Sequence, residues 1–322
     1  MNETLPLPSA TEPVLVTGGA GFIGSHVVDS FLAVGHRVVV LDDLSTGDRT
    51  RIPDEARFVE GDIRDPALPD LLREEGIRTI IHLAAQVDVR KSVADPVLDA
   101  SVNVLGTVNV ARAAAEAGAV QVIFASSGGA IYGDPDGDMA SEEHPLRPCS
   151  PYGAAKLAGE KYLLAMGPEG GFLPSILRFA NVYGPRQDGT GEAGVIGIFM
   201  NRLLGGQDAV IYGDGEQTRD FVHVADVVTA CRALYDGRVA GTFNVGTGIE
   251  TSVNVLYALV AQACGSERPP RHAPGKPGEQ RRSVLDPSHI RRTLGFPGFV
   301  PLAEGLKATA EWFRMHRARQ GL

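Results

Sequence analysis

The first half of the chain alternates short apolar runs with longer segments of helical spacing. Four runs have the length and the branched side chains of buried strands, at residues 14–17, 37–41, 79–83 and 120–126. Between them, apolar residues recur at helical intervals over residues 22–34, 66–75 and 97–117. Such alternation, with strands that are apolar almost throughout, is typical of a parallel sheet covered by helices on both faces. The pattern therefore predicts an α/β fold with a doubly wound parallel sheet.

The alternation continues to the middle of the chain and then changes. A helix is expected at residues 151–166 and a strand at residues 175–179, whereas shorter elements and many glycines follow Gly184. We therefore predict two domains, residues 1–184 with the large sheet and residues 185–322 as a smaller C-terminal α/β lobe for the substrate. Some strands and helices of the second half are expected to return to the first domain.

A glycine-rich loop joins the first predicted strand to the first predicted helix. It reads TGGAGFIG and places Gly18, Gly21 and Gly24 at the spacing of dinucleotide-binding loops. Such glycines permit a tight turn, close approach of the backbone to a pyrophosphate, and close packing of helix on strand. The helix that follows directs its free amide groups and its positive dipole end at the phosphate. These features predict a Rossmann-type domain that binds a dinucleotide.

Two acidic residues after the next strands bear on the cofactor. Asp42 ends the second strand, in VVVLDDLSTG, where a carboxylate binds the adenosine ribose hydroxyls and repels a 2′-phosphate. NAD is therefore favoured over NADP. Asp62 follows the third strand, in GDI, where it can meet the adenine or can serve as the N-cap of a helix.

The composition bounds the partners and the compartment. The formal net charge of −9 argues against a general nucleic-acid or anionic-membrane partner. The three cysteines, Cys149, Cys231 and Cys264, lack the spacing of metal ligands, so no metal and a reduced compartment are expected. The first residues lack a basic start with an apolar run, and no apolar stretch approaches the roughly 20 residues of a membrane span. We therefore expect a cytoplasmic protein.

A tyrosine and a lysine stand four residues apart in the helix predicted at residues 151–166. Tyr152 and Lys156, in YGAAK, can share one helix face. Beside a dinucleotide, the lysine ammonium and the positive nicotinamide would both favour tyrosinate and lower the pKa of the phenol toward neutrality. Tyr152 is therefore expected to remove a proton from a sugar hydroxyl while a hydride leaves the same carbon for NAD.

An ordered series of motifs extends these features from about residue 14 to residue 313. The series is TGGAGFIG, DDLSTG, GDIRD, HLAAQVDVRKSVADP, SSGGAIYG, SPYGAAK, RFANVYGPRQ and GDGEQTRDFVHVADV. It resembles the motifs of extended short-chain dehydrogenases/reductases, and within that group those of UDP-glucose (UDP-galactose) 4-epimerases. The resemblance implies an NAD-dependent isomerase of nucleotide-sugar and carbohydrate metabolism, which epimerises C4 of a UDP-hexose through a 4-keto intermediate.

The resemblance also assigns catalytic and cofactor roles. It implies that Tyr152 is the acid/base and that Lys156 binds the nicotinamide ribose and tunes Tyr152. The other implied cofactor contacts are Gly18, Gly21, Phe22, Ile23, Asp42, Asp43, Ser45, Thr46, Gly47, Asp62, Ile63, Leu83, Ala84, Ala85, Gln86, Asn103, Ser126 and Phe179.

Substrate contacts are implied in the same way. Besides Tyr152 they are Val87, Ser127, Gly128, Asn181, Gly194, Val195, Val210, Tyr212, Arg219, Lys276 and Glu279. Arg219 matches the phosphate-binding arginine of the family, and Asn181 matches an asparagine that contacts the sugar diphosphate. Val210 and Tyr212 fall where the family packs strand residues against uracil.

Two positions depart from the family pattern. The catalytic Ser/Thr of the family usually stands four residues before Tyr132, where this chain has Gly128. The neighbouring Ser127 is expected to supply the hydroxyl, with Ser126 as the alternative, because a glycine pair permits a small backbone adjustment. A lysine that the family often places beside the nicotinamide-side phosphate is replaced by Val87.

The segment KPGEQRRS in the last lobe resembles a UDP-binding Arg-x-Gly-Asp segment, with Lys276 and Glu279 in its charged places. Lysine lacks the planar fork of arginine, and glutamate has a longer reach than aspartate. Ser283 falls where the family has a gate residue, and a small residue there leaves space for a 2-N-acetyl group. Alternatively, Arg281 and Arg282 attract a C6 carboxylate, as in UDP-glucuronate, or Ser283 only caps a turn.

Other activities of the same fold are weighed by the residues that they need. A 4,6-dehydratase needs an acid pair just after the catalytic Ser/Thr, and a UDP-glucuronate decarboxylase needs a glutamate nearby; Gly128, Gly129 and Ala130 supply neither. A non-catalytic NAD-sensing protein often lacks the tyrosine or the lysine, and this chain has both. The physiological UDP-sugar stays open among glucose, N-acetylhexosamine, glucuronate and pentose. The resemblance also implies a homodimer, in which helices 97–117 and 151–166 form a four-helix bundle with a second copy.

Overall fold

The computed structural model describes residues 7–9, 11–135, 137–189, 194–275 and 280–320. The chain forms two compact units. The first unit comprises Met1–Ile131, Leu146–Arg178 and Val228–Phe243, and the second comprises Tyr132–Pro145, Phe179–Val227 and Asn244–Leu322. The sequence predicts a boundary after Gly184 with some later elements returning to the first domain. The structure divides the chain at several points, and Val228–Phe243 belongs to the first unit. Residues 132–145 give no helix or strand signal in the sequence, and their described part has turns, bends and an isolated β-bridge at Ala140.

The strands and helices follow one another along the whole described chain. The strands are β1 (Val14–Thr17), β2 (Val38–Asp42), β3 (Arg57–Glu60), β4 (Thr79–His82), β5 (Gln121–Ser127), β6 (Leu173–Phe179), β7 (Asn181–Tyr183), β8 (Val210–Tyr212), β9 (Thr218–His223), β10 (Gly241–Val245), β11 (Glu250–Ser252), β12 (Arg271–Ala273) and β13 (Arg282–Ser283). The α-helices are α1 (Phe22–Ala33), α2 (Leu68–Glu74), α3 (Val89–Ala94), α4 (Pro96–Ala100), α5 (Gly106–Ala117), α6 (Gly128–Ile131), α7 (Pro151–Gly170), α8 (Val195–Leu204), α9 (Val224–Gly237), α10 (Val253–Cys264), α11 (Ser288–Leu294) and α12 (Leu302–Gln320). A 3₁₀-helix spans Arg49–Arg51, and a π-helix spans Ser101–Leu105.

The first unit is built on a seven-stranded sheet with the order β10-β6-β5-β4-β1-β2-β3. β1 lies between β2 and β4 and is parallel to both, with Val14 opposite Val38 on one side and Thr79 on the other. This is the order of a doubly wound sheet, whose ligand crevice opens where the connections reverse, here between β1 and β4. The predicted α/β fold with a doubly wound parallel sheet is confirmed.

Burial on both faces explains the continuous apolar runs of the sequence. Every residue of β1, β2 and β4 is buried, so these strands have no solvent face that would require alternating polar residues. Their side chains pack with α2, α5 and α7 into one core, which includes Leu15, Val39, Leu72, Ile80, Val110, Phe124, Leu163 and Ile176.

The helix predicted at residues 97–117 is present but interrupted. α4 passes into the π-helix Ser101–Leu105, which passes into α5. π-Helical turns occur often at functional sites because they turn side chains off the regular helical spacing. The interruption lies at Asn103, one of the predicted cofactor contacts. α5 then ends at Gly118, which adopts φ of +71°.

The second unit contains two smaller sheets. In the first of these, β9 is antiparallel to β11 and parallel to both β7 and β13. The second is the parallel pair of β8 and β12. α8, α10 and α12 pack together in the core of this unit, through residues that include Ile196, Phe199, Leu256, Val260, Leu306 and Phe313.

Candidate active site

The glycine loop after β1 has the geometry of a phosphate cradle. Gly18 has φ of +70°, and a Cβ on it would lie 2.7 Å from the amide nitrogen of Ala84. A Cβ on Gly24 would lie 2.1 Å from the carbonyl oxygen of Gly18, so only glycine lets α1 pack this closely. The N-cap of the 12-residue α1 is Gly21, which itself has no side chain to occupy the first-turn amide groups. The loop therefore fits the pyrophosphate of a dinucleotide.

Asp42, at the end of β2, is held beside this loop. Its Oδ2 accepts a hydrogen bond from the amide of Ala20 and its Oδ1 accepts one from the amide of Leu44, both at 2.9 Å. Burial raises the pKa of Asp42, and the two amide hydrogen bonds oppose that rise. A Cβ on Gly47 would lie 2.7 Å from Oδ1, so glycine is needed where the loop of residues 43–47 passes the carboxylate. The carboxylate is fixed at the strand end where a ribose is expected.

Asp43 and Asp62 each close a local turn. Oδ1 of Asp43 accepts hydrogen bonds from the amide and the hydroxyl of Ser45, at 3.0 and 2.6 Å. Asp62 accepts the amide of Arg64 at 2.8 Å and also pairs with its guanidinium, which lowers the pKa of Asp62. The N-cap of α2 is Ala67, so the alternative that Asp62 caps a helix is wrong. Asp62 closes a turn over two residues.

A buried histidine that the sequence analysis does not identify links β1, β4 and α5. Nδ1 of His82 lies 2.8 Å from the hydroxyl of Thr17, and Nε2 lies 3.1 Å from the hydroxyl of Thr107. The Thr107 hydroxyl donates to the carbonyl of Asn103, so it accepts from Nε2, and Nδ1 accepts from Thr17. Burial lowers the pKa of His82 to about 3, so the ring is neutral. The Thr17 oxygen accepts the amide groups of residues 83 and 84, which fixes a segment predicted to contact the cofactor.

Gln86 and Asn103, two predicted cofactor contacts, lie in one hydrogen-bonded cluster with Asp99, of which Asn103 and Asp99 are buried. Oδ1 of Asn103 accepts the amide of Gln86, and Nδ2 of Asn103 donates to the carbonyl of Gln86 and to Oδ1 of Asp99, each at 2.9 Å. The side-chain amide of Gln86 also donates to Oδ1 of Asp99, at 2.9 Å. Asp99 is a member that the sequence analysis missed; the signal is an acidic residue four positions before Asn103, on the same helical face.

Tyr152 and Lys156 lie together at the start of α7. The hydroxyl of Ser150 caps this helix by accepting the amide of Gly153 at 3.1 Å. Nζ of Lys156 donates to the carbonyl of Ala125, in β5, at 2.9 Å and lies 6.0 Å from the centre of the Tyr152 ring. The end of β5 therefore anchors the ammonium beside the phenol.

Burial dominates the acid–base properties of this pair. It raises the pKa of Tyr152 to about 12, and a hydrogen bond with Ser127 opposes the rise. It lowers the pKa of Lys156 to about 8, and the charges of Asp99 and Glu160 oppose that fall. The sequence predicts a pKa near neutrality for the Tyr152 phenol. The protein alone does not produce it, because the rise caused by burial outweighs the lowering by neighbouring groups. The positive nicotinamide is left as the group that would lower it.

The two adjacent serines at the end of β5 have different partners. Ser127 forms a hydrogen bond with Tyr152. Ser126 is buried and donates to Oε1 of Glu160 at 2.5 Å. Glu160 also accepts two hydrogen bonds from the guanidinium of Arg178, at 3.0 and 2.7 Å. Because successive residues of a strand face opposite sides of the sheet, Ser127 faces the tyrosine while Ser126 belongs to a buried ion pair.

The two predicted uracil contacts lie on β8 in the second unit. Tyr212 is 41% exposed, and Val210 is half-buried two residues earlier. Tyr212 lines a cavity of about 150 Å³ together with Gly213, Asp214, Gln217, Gly275, Gln280 and Arg281. Val210 is not one of the residues that line this cavity. The structure therefore brings the tyrosine, but not the valine, to a concave surface.

Arg219 and Asn181 lie on paired strands of the second unit. The guanidinium of Arg219, on β9, donates to the carbonyls of Thr218 and Gln280, both at 2.8 Å. Asn181 begins β7, where it is exposed and opposite Phe221 of β9. The central strand β9 therefore links the two residues predicted to contact the sugar diphosphate.

The remaining predicted contacts have varied surroundings. Gly194 is the N-cap of α8 and Val195 is its first residue, while Phe179 ends β6 and is buried. Val87, in the first unit, is 63% exposed. Two predicted UDP contacts lie outside the described residues, namely Lys276 and Glu279.

Ser283, the predicted gate residue, is 3% exposed and lies in β13, paired with β9. It is a strand residue, so the alternative that it caps a turn is wrong. The guanidinium of Arg281 binds both oxygens of Asp214, at 2.9 and 2.8 Å, and that of Arg282 pairs with Glu250. Both arginines are already neutralised by carboxylates, which disfavours the alternative that they attract a C6 carboxylate.

Two further features bear on the kind of site. Within the described ranges, no group of three or more His, Cys, Asp or Glu side chains is placed to hold a metal ion. None of the helices that the structure describes is long and apolar enough to cross a membrane.

A comparison with known protein families shows to which family the chain belongs. The sequence profile of the NAD dependent epimerase/dehydratase family matches residues 14–246. The chain belongs to this family. The match begins at β1 and includes the glycine loop, Asp42, Ser127, Tyr152 and Lys156.

Relatives of this family member match it over almost their full length. A UDP-glucose 4-epimerase of Mycolicibacterium smegmatis is 48% identical over 306 residues, which cover 93% of this chain and 98% of the relative. The crystal structure of a UDP-glucose 4-epimerase of Thermotoga maritima with UDP-glucose is 41% identical, with a TM-score of 0.91 and coverage of 94% and 99%. That of the Thermus thermophilus enzyme with NAD is 44% identical, with a TM-score of 0.88 and coverage of 94% and 99%.

These comparisons confirm three predictions. The chain is an NAD-dependent enzyme of the extended short-chain dehydrogenase/reductase type, it resembles UDP-glucose 4-epimerases, and NAD is its cofactor. The geometry of the first unit agrees with this cofactor. The glycine loop leaves no space for a Cβ at Gly18 or Gly24, and Asp42 stands where a 2′-phosphate would be repelled. The contacts of individual residues with NAD stay predictions.

Proposed function

We propose that this NAD-dependent enzyme interconverts UDP-glucose and UDP-galactose by epimerisation at C4, through a 4-keto sugar. The observation that carries the proposal is the grouping of Ser127, Tyr152 and Lys156 at the ends of β5 and α7. The grouping lies in the same unit as the glycine loop. Relatives of nearly equal length that are named UDP-glucose 4-epimerase support the choice of substrate.

The chain supplies the proton transfer. Tyr152 removes the proton of the sugar 4-hydroxyl, and returns it when the keto group is reduced. Ser127, which already forms a hydrogen bond with Tyr152, orients the 4-oxygen toward the phenol. The ammonium of Lys156, anchored on the carbonyl of Ala125, stabilises the tyrosinate. NAD, when bound, would supply the hydride acceptor and donor for C4, and the glycine loop and Asp42 are the groups that would hold it.

The residues after Ser127 favour epimerisation over dehydration. A dehydratase needs an acid there to expel the 6-hydroxyl. α6 begins at Gly128 and continues with Gly129 and Ala130, none of which carries an acid. Small side chains also leave room for the 4-keto sugar to turn over between the two steps.

We assign the nucleotide part of the substrate to residues of the second unit. Arg219 provides a guanidinium for the diphosphate, and Asn181 is exposed on the strand beside it. Tyr212 presents a partly exposed ring that a uracil base can stack on. Gln217 and Gln280 line the same cavity as Tyr212, so polar side chains lie close to the ring on which a base would stack.

We infer a cytoplasmic location for this enzyme. Its three cysteines, Cys149, Cys231 and Cys264, are all free, and Cys149 is exposed. An exposed free thiol is best tolerated where thiols are kept reduced.

We propose that the protein is a homodimer. Val97, Leu105 and Tyr162 are 79%, 63% and 46% exposed on the helical segments that the family resemblance places at a dimer interface. Light scattering at micromolar concentration is expected to give twice the chain mass of 34.0 kDa. Leu105→Glu should lower the mass toward that of a monomer, whereas Val255→Glu, at a 53% exposed valine of the second unit, should not. A monomeric mass for the unmodified protein would rule the dimer out.

The small gate residue predicts a broad substrate range. Ser283 occupies far less volume than a tyrosine, so we expect activity on UDP-N-acetylglucosamine as well as on UDP-glucose. Ser283→Tyr should abolish the first activity and retain the second. Because Ser283 is buried, the retained activity on UDP-glucose and the thermal stability of the variant serve as the control. An unmodified enzyme that acts on UDP-glucose but not on UDP-N-acetylglucosamine would refute the gate and leave the epimerase proposal intact.

The proposed function is tested by incubating the purified protein with a panel of UDP-sugars and no added NAD. Interconversion of UDP-glucose and UDP-galactose is expected, since NAD is restored in each turnover. Conversion of UDP-glucose to a product without its 6-hydroxyl, or no conversion even after NAD is supplied, would contradict the proposal.

A further inference from the structure

Asp99 is a buried acidic residue, and only one of its two carboxylate oxygens accepts hydrogen bonds from described residues. Its side chain is 1% exposed. Oδ1 accepts hydrogen bonds from the side-chain amides of Gln86 and Asn103, both at 2.9 Å. In the described part of the chain, Oδ2 has no hydrogen-bond partner. A buried charge with an unpaired oxygen is costly and calls for a reason.

The hydrogen bonds alone do not require a charge. One amide oxygen can accept the same two hydrogen bonds that Oδ1 accepts from Gln86 and Asn103, so an asparagine would hold the cluster equally well. The negative charge of Asp99 is therefore not needed for its hydrogen bonds with Gln86 and Asn103. α4, which carries Asp99, packs against α7, which carries Tyr152 and Lys156.

We propose that the buried carboxylate of Asp99 is the counter-charge of Lys156 and thereby sets the pH range in which the Tyr152–Lys156 pair transfers protons. The proposal rests on the proposed function, because it concerns the same proton transfer. Asp99 is a positioning residue in this scheme, since it acts on the sugar only through the pair.

The electrostatic influence of Asp99 on both groups agrees with this role. Its negative charge stabilises the ammonium, and it is the larger of the two charges that raise the pKa of Lys156 against the effect of burial. The same charge disfavours tyrosinate, and it adds to the burial that raises the pKa of Tyr152. Both pKa values are therefore higher with Asp99 than they would be without it.

The other titratable groups around the pair are neutral, paired or exposed. On α7 itself, Glu160 pairs with Arg178 of β6, and on β4 His82 is neutral. On β5 the facing group is the hydroxyl of Ser127. Two other helices that pack on α7 carry charged residues. Those of α3, Arg90 and Lys91, are exposed, and those of α5, Arg112 and Glu116, pair with each other. Asp99 is thus the buried charge beside the pair that has no counter-ion among the described residues other than Lys156.

The test is the pH dependence of kcat in Asp99→Asn and Asp99→Ser, compared with the parent enzyme on UDP-galactose. Both variants remove the charge, so both limbs of the profile should move to lower pH by about 0.5–1 unit. The melting temperature is expected to fall, because the buried ammonium of Lys156 loses its counter-charge. Asp95→Asn is the matched control, since Asp95 caps the same helix by accepting the amide of Leu98 but is exposed. Its profile should coincide with that of the parent.

Each other outcome contradicts the inference. If Asp99 served only to accept hydrogen bonds from Gln86 and Asn103, its variants would lose stability or kcat, and both limbs of the pH profile would stay unmoved. Failure of both variants to fold would also count against the proposal, because it would show that the carboxylate is needed for the structure. An inactive parent enzyme would instead refute the proposed function, so the two failures can be told apart.

Discussion

Tyr152→Phe is expected to lower kcat at least about a hundredfold while leaving NAD binding intact. The substitution removes one hydroxyl, the group that takes the proton from the sugar and the hydrogen-bond partner of Ser127. Phenylalanine keeps the ring that packs near Lys156, and the glycine loop and Asp42 are untouched. The measurements are kcat on UDP-galactose and the NAD content of the purified variant.

A second tyrosine provides the control for this experiment. The hydroxyl of Tyr257, in α10, donates to the carbonyl of Arg268 at 2.7 Å, so Tyr257→Phe also removes one hydrogen-bonding hydroxyl. Its kcat should stay within about twofold of the parent value, because the residue belongs to the core of the second unit. Turnover by Tyr152→Phe at the rate of the parent would show that another group transfers the proton.

Gly18→Ala is expected to destabilise the protein strongly and to abolish NAD retention. The left-handed conformation, with φ of +70°, costs an alanine about 1–2 kcal/mol. In addition, the new Cβ would lie 2.7 Å from the backbone of Ala84, and overpacking of this kind costs about 1–3 kcal/mol. Relief of the overlap requires the ends of β1 and β4 to move apart, which opens the phosphate cradle. Chemical denaturation and the NAD content of the purified protein measure the two effects.

Gly118→Ala separates backbone strain from overlap. Gly118 has φ of +71°, almost the value of Gly18, but nothing lies within 4 Å of the position of its Cβ. This variant should therefore lose only the strain energy of about 1–2 kcal/mol and should keep NAD. Equal losses in the two variants, with NAD retained in both, would mean that the tight contact at Gly18 has no role in cofactor binding.

The strands that carry the site could be predicted from the sequence because they lie in the interior of the sheet. β1 and β4 are buried on both faces, so each leaves a continuous apolar run in the sequence. The prediction for residues 14–17 coincides with β1, and that for residues 37–41 is displaced by one residue from β2. The glycine loop could be read for a related reason, since Gly18 and Gly24 are positions where a Cβ cannot be accommodated.

Contacts between distant segments could not be predicted in the same way. Sequence spacing left open which serine faces Tyr152, because the answer depends on the pairing of Ser126 with Glu160, 34 residues further along. The role of Asp99 was missed because its partner Gln86 lies 13 residues earlier, in a separate segment of the chain. The lowered pKa predicted for the Tyr152 phenol was wrong for the protein alone, because burial raises this pKa and sequence spacing does not reveal burial.

The most direct test of the proposed epimerase is to convert UDP-galactose in deuterium oxide, with NAD supplied, and to locate deuterium in the product by nuclear magnetic resonance. Tyr152 exchanges only the hydroxyl proton with solvent, while the hydrogen on C4 leaves and returns without meeting water. We therefore expect UDP-glucose that carries no deuterium on C4. Deuterium on C4 of the product, or a product that has lost its 6-hydroxyl, would contradict the mechanism.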